Sequence, residues 1–150
     1  MRIKRCPMTF NNMISKEVSG DVKTIFNKAQ GFRNALIKNG LYTVSPLVYQ
    51  MYDMKGLEGT FKLYMSLNQS IELNGGTDYN FEKLLQFTDG LTIRHYDMDI
   101  PFEESYKILL EAADAIDVKL DTDYYHIHLN LYGESMVDIY APLTEDKATD

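Results

Sequence analysis

Two histidines lie two residues apart in the stretch Tyr124, Tyr125, His126, Ile127, His128. On an extended strand that spacing puts both imidazoles on one side, roughly 7 Å apart. Zinc enzymes use such a pair as two of three protein ligands. A third donor has to come from a neighbouring strand, and His95 and Asp138 are the candidates. A lone His-x-His falls short of the ligand count of a closed or catalytic site, so it reads first as two titratable groups on a polar strand face, with no metal expected. If that face lines a ligand site, the charge of the pair changes between about pH 5 and 8, and affinity changes with it.

Other chemistry is thin. Asp97, Asp99, Glu103 and Glu104 cluster just before and inside a helical stretch; capping and the helix dipole account for them without acid–base work. There is no G-x-S-x-G elbow, no phosphate loop ending in Gly-Lys-Ser/Thr and no Cys-x-x-Cys pair. Cys6 precedes Pro7, which marks a strand edge or bulge rather than an activated thiolate. No catalytic residue and no cofactor is expected.

The elements that carry these residues follow from periodicity. Val22, Ile25, Phe26, Ala29, Phe32 and Leu36 recur at helical steps, and Asn39-Gly40 supplies a left-handed stop. A second helix opens at Pro101, with Glu103 and Glu104 in its first turn. Its expected buried stripe is Phe102, Tyr106, Leu109, Leu110, Ala113 and Ile116. Along residues 124–131 the two-residue repeat sends Tyr125, Ile127, Leu129 and Leu131 one way, toward the helices. Tyr124, His126, His128 and Asn130 then point the other way. Gly133 marks a hairpin into residues 136–143, and residues 53–59 play that part before residues 60–67. Residues 3–8 and 80–87 read as further strands, joined through Asn11-Asn12 and Thr88-Asp89-Gly90 to strands at 13–18 and 91–96. Residues 70–78, with Gly75-Gly76, read as a joint, and residues 145–150 as a solvated tail.

The chain reads as if written twice. Phe61, Leu63, Met65 and Leu67, with Tyr64 off-phase, return as Val137, Ile139, Ala141 and Leu143 with Tyr140 off-phase. Leu47, Tyr49, Met51 return as Tyr125, Ile127, Leu129, and the helical apolar sets and Ile14/Ile93 follow at similar separations. A duplicated unit implies two copies of one supersecondary module with a groove at their junction.

A chain of 150 residues, 45% hydrophobic and 25% charged, can bury a core as a single domain. A net charge of −7 opposes binding to phosphate backbones, so no nucleic acid is expected. One cysteine makes no intramolecular disulfide, and no run of 18 apolar residues or signal-like stretch occurs. The expectation is a cytoplasmic protein that binds no membrane.

The strand, helix, hairpin order, repeated, resembles the effector-binding superfamily. That group includes gyrase-inhibitor-like proteins, haem- or tetrapyrrole-associated (SOUL-type) relatives and the ligand-sensing halves of multidrug-responsive transcription regulators. NNMISKEV, SPLVYQMYDM and MVDIYAPL resemble more closely an uncharacterised bacterial family found near type VII secretion gene clusters. The resemblance implies an α+β fold: a tandem pseudo-symmetric repeat of about 1–75 and 76–150 in one domain, 1–150. Its antiparallel sheet carries two helices on one face and an inter-lobe cleft on the other. The phase of the strands then assigns Gln50, Tyr52, Tyr64, His126, His128, Asp138 and Tyr140 to the ligand. Tyr64 and Tyr140 form a pair able to clamp a flat or cationic group. Drug-binding relatives keep a buried glutamate, for which Glu17 and Asp138 are the nearest counterparts.

The function expected is a non-enzymatic small-molecule (effector) binding module, its ligand amphipathic or aromatic and held between the repeats. The alternative is protein–protein interaction, as an accessory component of a type VII secretion or toxin cluster. A homodimer through a free strand edge is the further partner that the pattern allows.

Overall fold

A computed structural model describes residues 3–73, 75 and 77–144. Gly76 of the expected joint and the expected tail at 145–150 lie outside them. The described residues form strands β1 (Ile3–Arg5), β2 (Met8–Asp21), β3 (Val48–Lys55), β4 (Glu58–Ser66), β5 (Tyr79–Phe87), β6 (Gly90–His95), β7 (Tyr125–Leu131) and β8 (Glu134–Pro142). Helix α1 spans Ile25–Lys38 and α2 spans Phe102–Ala115. The class is α+β, and the strand pairs described below are antiparallel. No helix among the described residues is long and apolar enough to cross a membrane. The chain divides into two compact units, Phe10–Leu85 and the described part of Met1–Thr9 with Gln86–Asp150.

In the first unit the strand order is β3-β4-β2-β5. Ile25, Ala29, Phe32 and Leu36 of α1, spaced by fours and threes, bury one stripe against Tyr49, Phe61, Leu63 and Met65. The helix begins later than its apolar pattern suggests, because Val22–Thr24 form a 3-10 turn in which Asp21 accepts from the Lys23 amide at 2.7 Å. It ends as expected, with Gly40 at φ +78 and the Leu41 amide bonded back to the Leu36 carbonyl.

In the second unit the order is β1-β6-β8-β7. Here α2 buries Ser105, Leu109 and Ala113 against a core that includes Leu91, Ile93, Val137, Ile139 and Ala141. Pro101 is the residue before the first helical turn, and Glu103 and Glu104 stand inside that turn. Leu110 and Ile116 of the expected stripe are not in the core; they remain 45% and 47% exposed. Successive helical residues turn by about 100°, so a face centred on Leu109 carries Leu110 off to its flank.

Three further expectations change. The strand at 3–8 is shorter: β1 ends at Arg5 and pairs with β6, Ile3 opposite Ile93, so it lies in the second unit. Asn11-Asn12 makes no turn. β2 runs through it, with Asn12 at φ +56 absorbing a kink while Met13 stays opposite Ser66 and the Leu67 amide donates to the Asn12 carbonyl. Asparagine tolerates that left-handed conformation, and a strand held along its length by β4 outlasts one irregular residue.

The third change reverses a face. His126 is opposite Ile139 and His128 opposite Val137, both of them core residues beneath α2, so the histidines point to the helix side and Tyr125, Ile127 and Leu129 point away. The hairpin decides this. Tyr132 and Gly133 both have positive φ, +54 and +80, forming a two-residue turn of the I′ kind. That turn sets Leu131 opposite Glu134, and every later pair follows from it.

Candidate functional site

On the helix-free side of the first unit, the register brings Val48, Gln50 and Tyr52 of β3 beside Lys62 and Tyr64 of β4, with Ser15 and Glu17 of β2 next in line. This is the arrangement that strand phase foretells for the first half of the chain. The Gln50 side-chain oxygen accepts from the Tyr64 hydroxyl at 2.5 Å and from the Tyr52 hydroxyl at 2.8 Å. Gln50 is only 3% exposed and Tyr64 only 4%, although α1 packs on the opposite side of these strands. The Lys62 ammonium stands 5.2 Å from the centre of the Tyr64 ring, a cation–π approach. An amide, phenol hydroxyls, aromatic faces and one cation are groups that recognise and orient a molecule. None of them is an activated nucleophile.

The matching side of the second unit carries Tyr125, Asp138 and Tyr140. Tyr140 donates its hydroxyl to the Cys6 carbonyl at 2.8 Å, and Phe87 packs its ring 5.5 Å from Tyr125 and 6.4 Å from Tyr140. Asp138 receives Arg94 through two bonds of 2.7 and 3.1 Å, a forked pair that holds the guanidinium still more firmly protonated. The Cys6 thiol is pushed up by burial, the opposite of activation.

The histidines lie elsewhere. His126 sits beneath α2, its Nε2 2.5 Å from the Tyr106 hydroxyl and its ring 5.2 Å from that of Phe102. His128 is half-buried on the same side, and desolvation lowers its pKa. Strand phase alone therefore placed His126 and His128 on the wrong side for a site shared with Tyr140 and Asp138. Of the two third donors considered for the His126, His128 pair, Asp138 points away from the imidazoles, and His95, on their side, has both ring nitrogens engaged by Ser105 and the Ile100 carbonyl. Among the described residues no cluster of three or more His, Cys, Asp or Glu could hold a metal ion.

One pair escaped the sequence. His95 Nδ1 is 2.7 Å from Ser105 Oγ, and His95 Nε2 is 2.8 Å from the Ile100 carbonyl. A carbonyl only accepts, so in the neutral ring Nε2 carries the hydrogen and Nδ1 accepts from the serine. A serine bonded to an imidazole has the form of a nucleophile and its base. Ser105 is 0% exposed, however, so no substrate meets it; the pair locks the first turn of α2 onto β6. The β6 phase shared by Ile93 and His95 was the available signal.

No protein-family model and no curated relative matches the sequence. Solved structures do match in fold. The chain is similar to the C-terminal domain of EcmrR, with a TM-score of 0.67 and 11% identity over 95% of this chain and 98% of that one. It is also similar to EcmrR in an EcmrR–DNA complex, with a TM-score of 0.68 and 12% identity over 94% of this chain, and it spans only 57% of that longer chain. A hydrolase from Listeria innocua aligns with a TM-score of 0.57 and 11% identity over 93% of this chain and 92% of that one. At such identities the likeness is one of fold.

Proposed function

We propose that this chain is a small-molecule-binding module without a catalytic role, and that the helix-free side of its sheet holds an amphipathic or aromatic ligand. The observation that carries this reading is the Gln50, Tyr52, Tyr64 network on the side away from α1: the buried Gln50 and Tyr64 fix the partly exposed Tyr52 and Lys62, which are the members a ligand can reach. Burying such groups is unfavourable unless they are paired, and a paired, rigid set of rings and hydroxyls is what orients a bound molecule. Lys62 beside Tyr64 supplies the charged member. In the second unit Asp138 and Tyr140 lie on the side of their strand away from α2, whereas His126 and His128 lie on the α2 side. The common order of strand, helix and hairpin, with Tyr64 and Tyr140 at like places in β4 and β8, supports descent from a duplicated module. Resemblance to the effector-binding superfamily and the fold shared with the EcmrR C-terminal domain fit the same reading.

The test is a thermal-shift screen with aromatic phenols and amides. A compound at about 100 times its Kd adds about 2.7 kcal/mol, which moves Tm by several degrees. The expected hit loses its shift in Gln50→Leu and in Tyr64→Phe. A screen without hits, or hits that survive both substitutions, overturns the proposal.

A further inference from the structure

Leu110 is apolar, lies on a helix and is left uncovered. It lines an open groove of about 900 Å³ in the second unit, over a lining that includes Ala113, Val118 and Leu120. Tyr124 and Tyr106 also line it, stacked with their ring centres 4.1 Å apart and their planes 6° apart. Tyr106 spends its hydroxyl inward on His126, so it is the aromatic surface of the pair that serves the groove. Tyr124 is a phenol, uncharged at neutral pH, and partial burial raises its pKa further.

Charge defines the occupant further. Glu103, Lys107 and Glu111 alternate in sign at four-residue steps along the rim, the spacing at which helical side chains neighbour one another and their fields oppose. Asp114 and Lys119 complete the charged lining, three carboxylates against two ammonium groups, so the groove offers no net attraction to an anion and little to a cation. The volume falls within the range of small-molecule sites, roughly 300–1,000 Å³, and the groove is shallow and open, so an occupant lies along it with one side toward solvent.

We propose that the groove beside α2 is a second ligand site, separate from the sheet face, which takes an uncharged molecule with a planar aromatic part and an apolar body. The aromatic part packs at the Tyr106–Tyr124 end and the apolar body along Leu110.

The test uses N-phenyl-1-naphthylamine, an uncharged fluorophore that brightens in apolar surroundings. Saturable brightening is expected with the wild-type protein. It weakens by about tenfold in Leu110→Glu, a surface change that leaves the core alone, and in Tyr124→Ala. Gln50→Leu leaves it unchanged, which separates this site from the sheet face, and far-UV circular dichroism verifies the folding of each variant. Brightening that fails to saturate below about 1 mM, or that stays within about twofold of wild type in Leu110→Glu, overturns the assignment, as does loss of binding in Gln50→Leu.

Discussion

Tyr64 reaches diagonally across the β3–β4 pair to the side-chain oxygen of Gln50, and the 2.5 Å bond joins residues fourteen positions apart in the chain. Val48, not Gln50, is directly opposite Tyr64. A long aromatic side chain spans such a diagonal readily. Replacing Gln50 by Leu removes the acceptor that Tyr64 and Tyr52 share. It is expected to lower stability by about 1–2 kcal/mol, or about 4 °C in Tm. Tyr64→Phe should cost less, and the double variant less than the sum of the single changes, because the same bond is lost in each. Strict additivity in chemical denaturation would show that the bond carries no stability.

Gly90 begins β6 where the Tyr140 ring passes over it. A methyl group added there meets the Tyr140 ring and hydroxyl, and lies 2.7 Å from the Ala141 carbonyl. Tyr140 is buried and tied to the Cys6 carbonyl, so neither neighbour yields easily. Gly90→Ala is expected to destabilise by about 1–3 kcal/mol, and Gly133→Ala, in open space, to act only through its positive φ. Equal Tm values for wild type and Gly90→Ala would refute the packing described for Tyr140.

Desolvation holds the His128 imidazole below the ordinary value of 6.5. The unfolded chain then takes up this proton at a higher pH than the folded one, so the contribution to stability is complete above about 6.5 and is lost as pH falls from there toward the lower folded value. Between about pH 7.5 and 5.5 the Tm should drop, and His128→Gln should flatten that drop. The change is expected to be about 2 °C or less, since solvent reaches much of the ring. Asp89, lowered by its bond to Arg5, acts in a separate and more acidic window, below 3.8. An identical pH profile in His128→Gln would assign the acid sensitivity to other groups.

Zinc should not stabilise the protein. His95 has both ring nitrogens engaged, by Ser105 and Ile100, His126 has Nε2 on Tyr106, and Asp138 faces the other side of β8 with Arg94. An equimolar addition of the metal is expected to move Tm by less than about 1 °C. A shift of several degrees that His126→Ala abolishes would contradict this geometry.

Elements with strong local signals were legible in the chain. The α1 stripe from Ile25 to Leu36, the stop at Asn39-Gly40, the acidic first turn of α2 and the turn at Gly133 all depend on neighbours within a few residues, and periodicity reports such neighbours directly. The same holds for the β3 and β4 faces, where apolar and polar residues alternate cleanly. Gln50, Tyr52 and Tyr64 came together as that alternation implies.

Tertiary structure decided what alternation could not. Along β7 the alternation is clean, with Tyr125, Ile127, Leu129 and Leu131 on one side and His126, His128 and Asn130 on the other, yet the second side meets α2, because a buried imidazole is tolerated once it has a partner. The Tyr132–Gly133 turn and the demand of Val137 and Ile139 for the α2 core chose the face, sending His126 to Tyr106. The pairing of β1 with β6 and the meeting of Ser105 with His95 likewise depend on contacts distant along the chain. Residue types along the sequence record which side chains can be buried; which of them are buried together is settled only when the strands are in register and the helices are packed upon them.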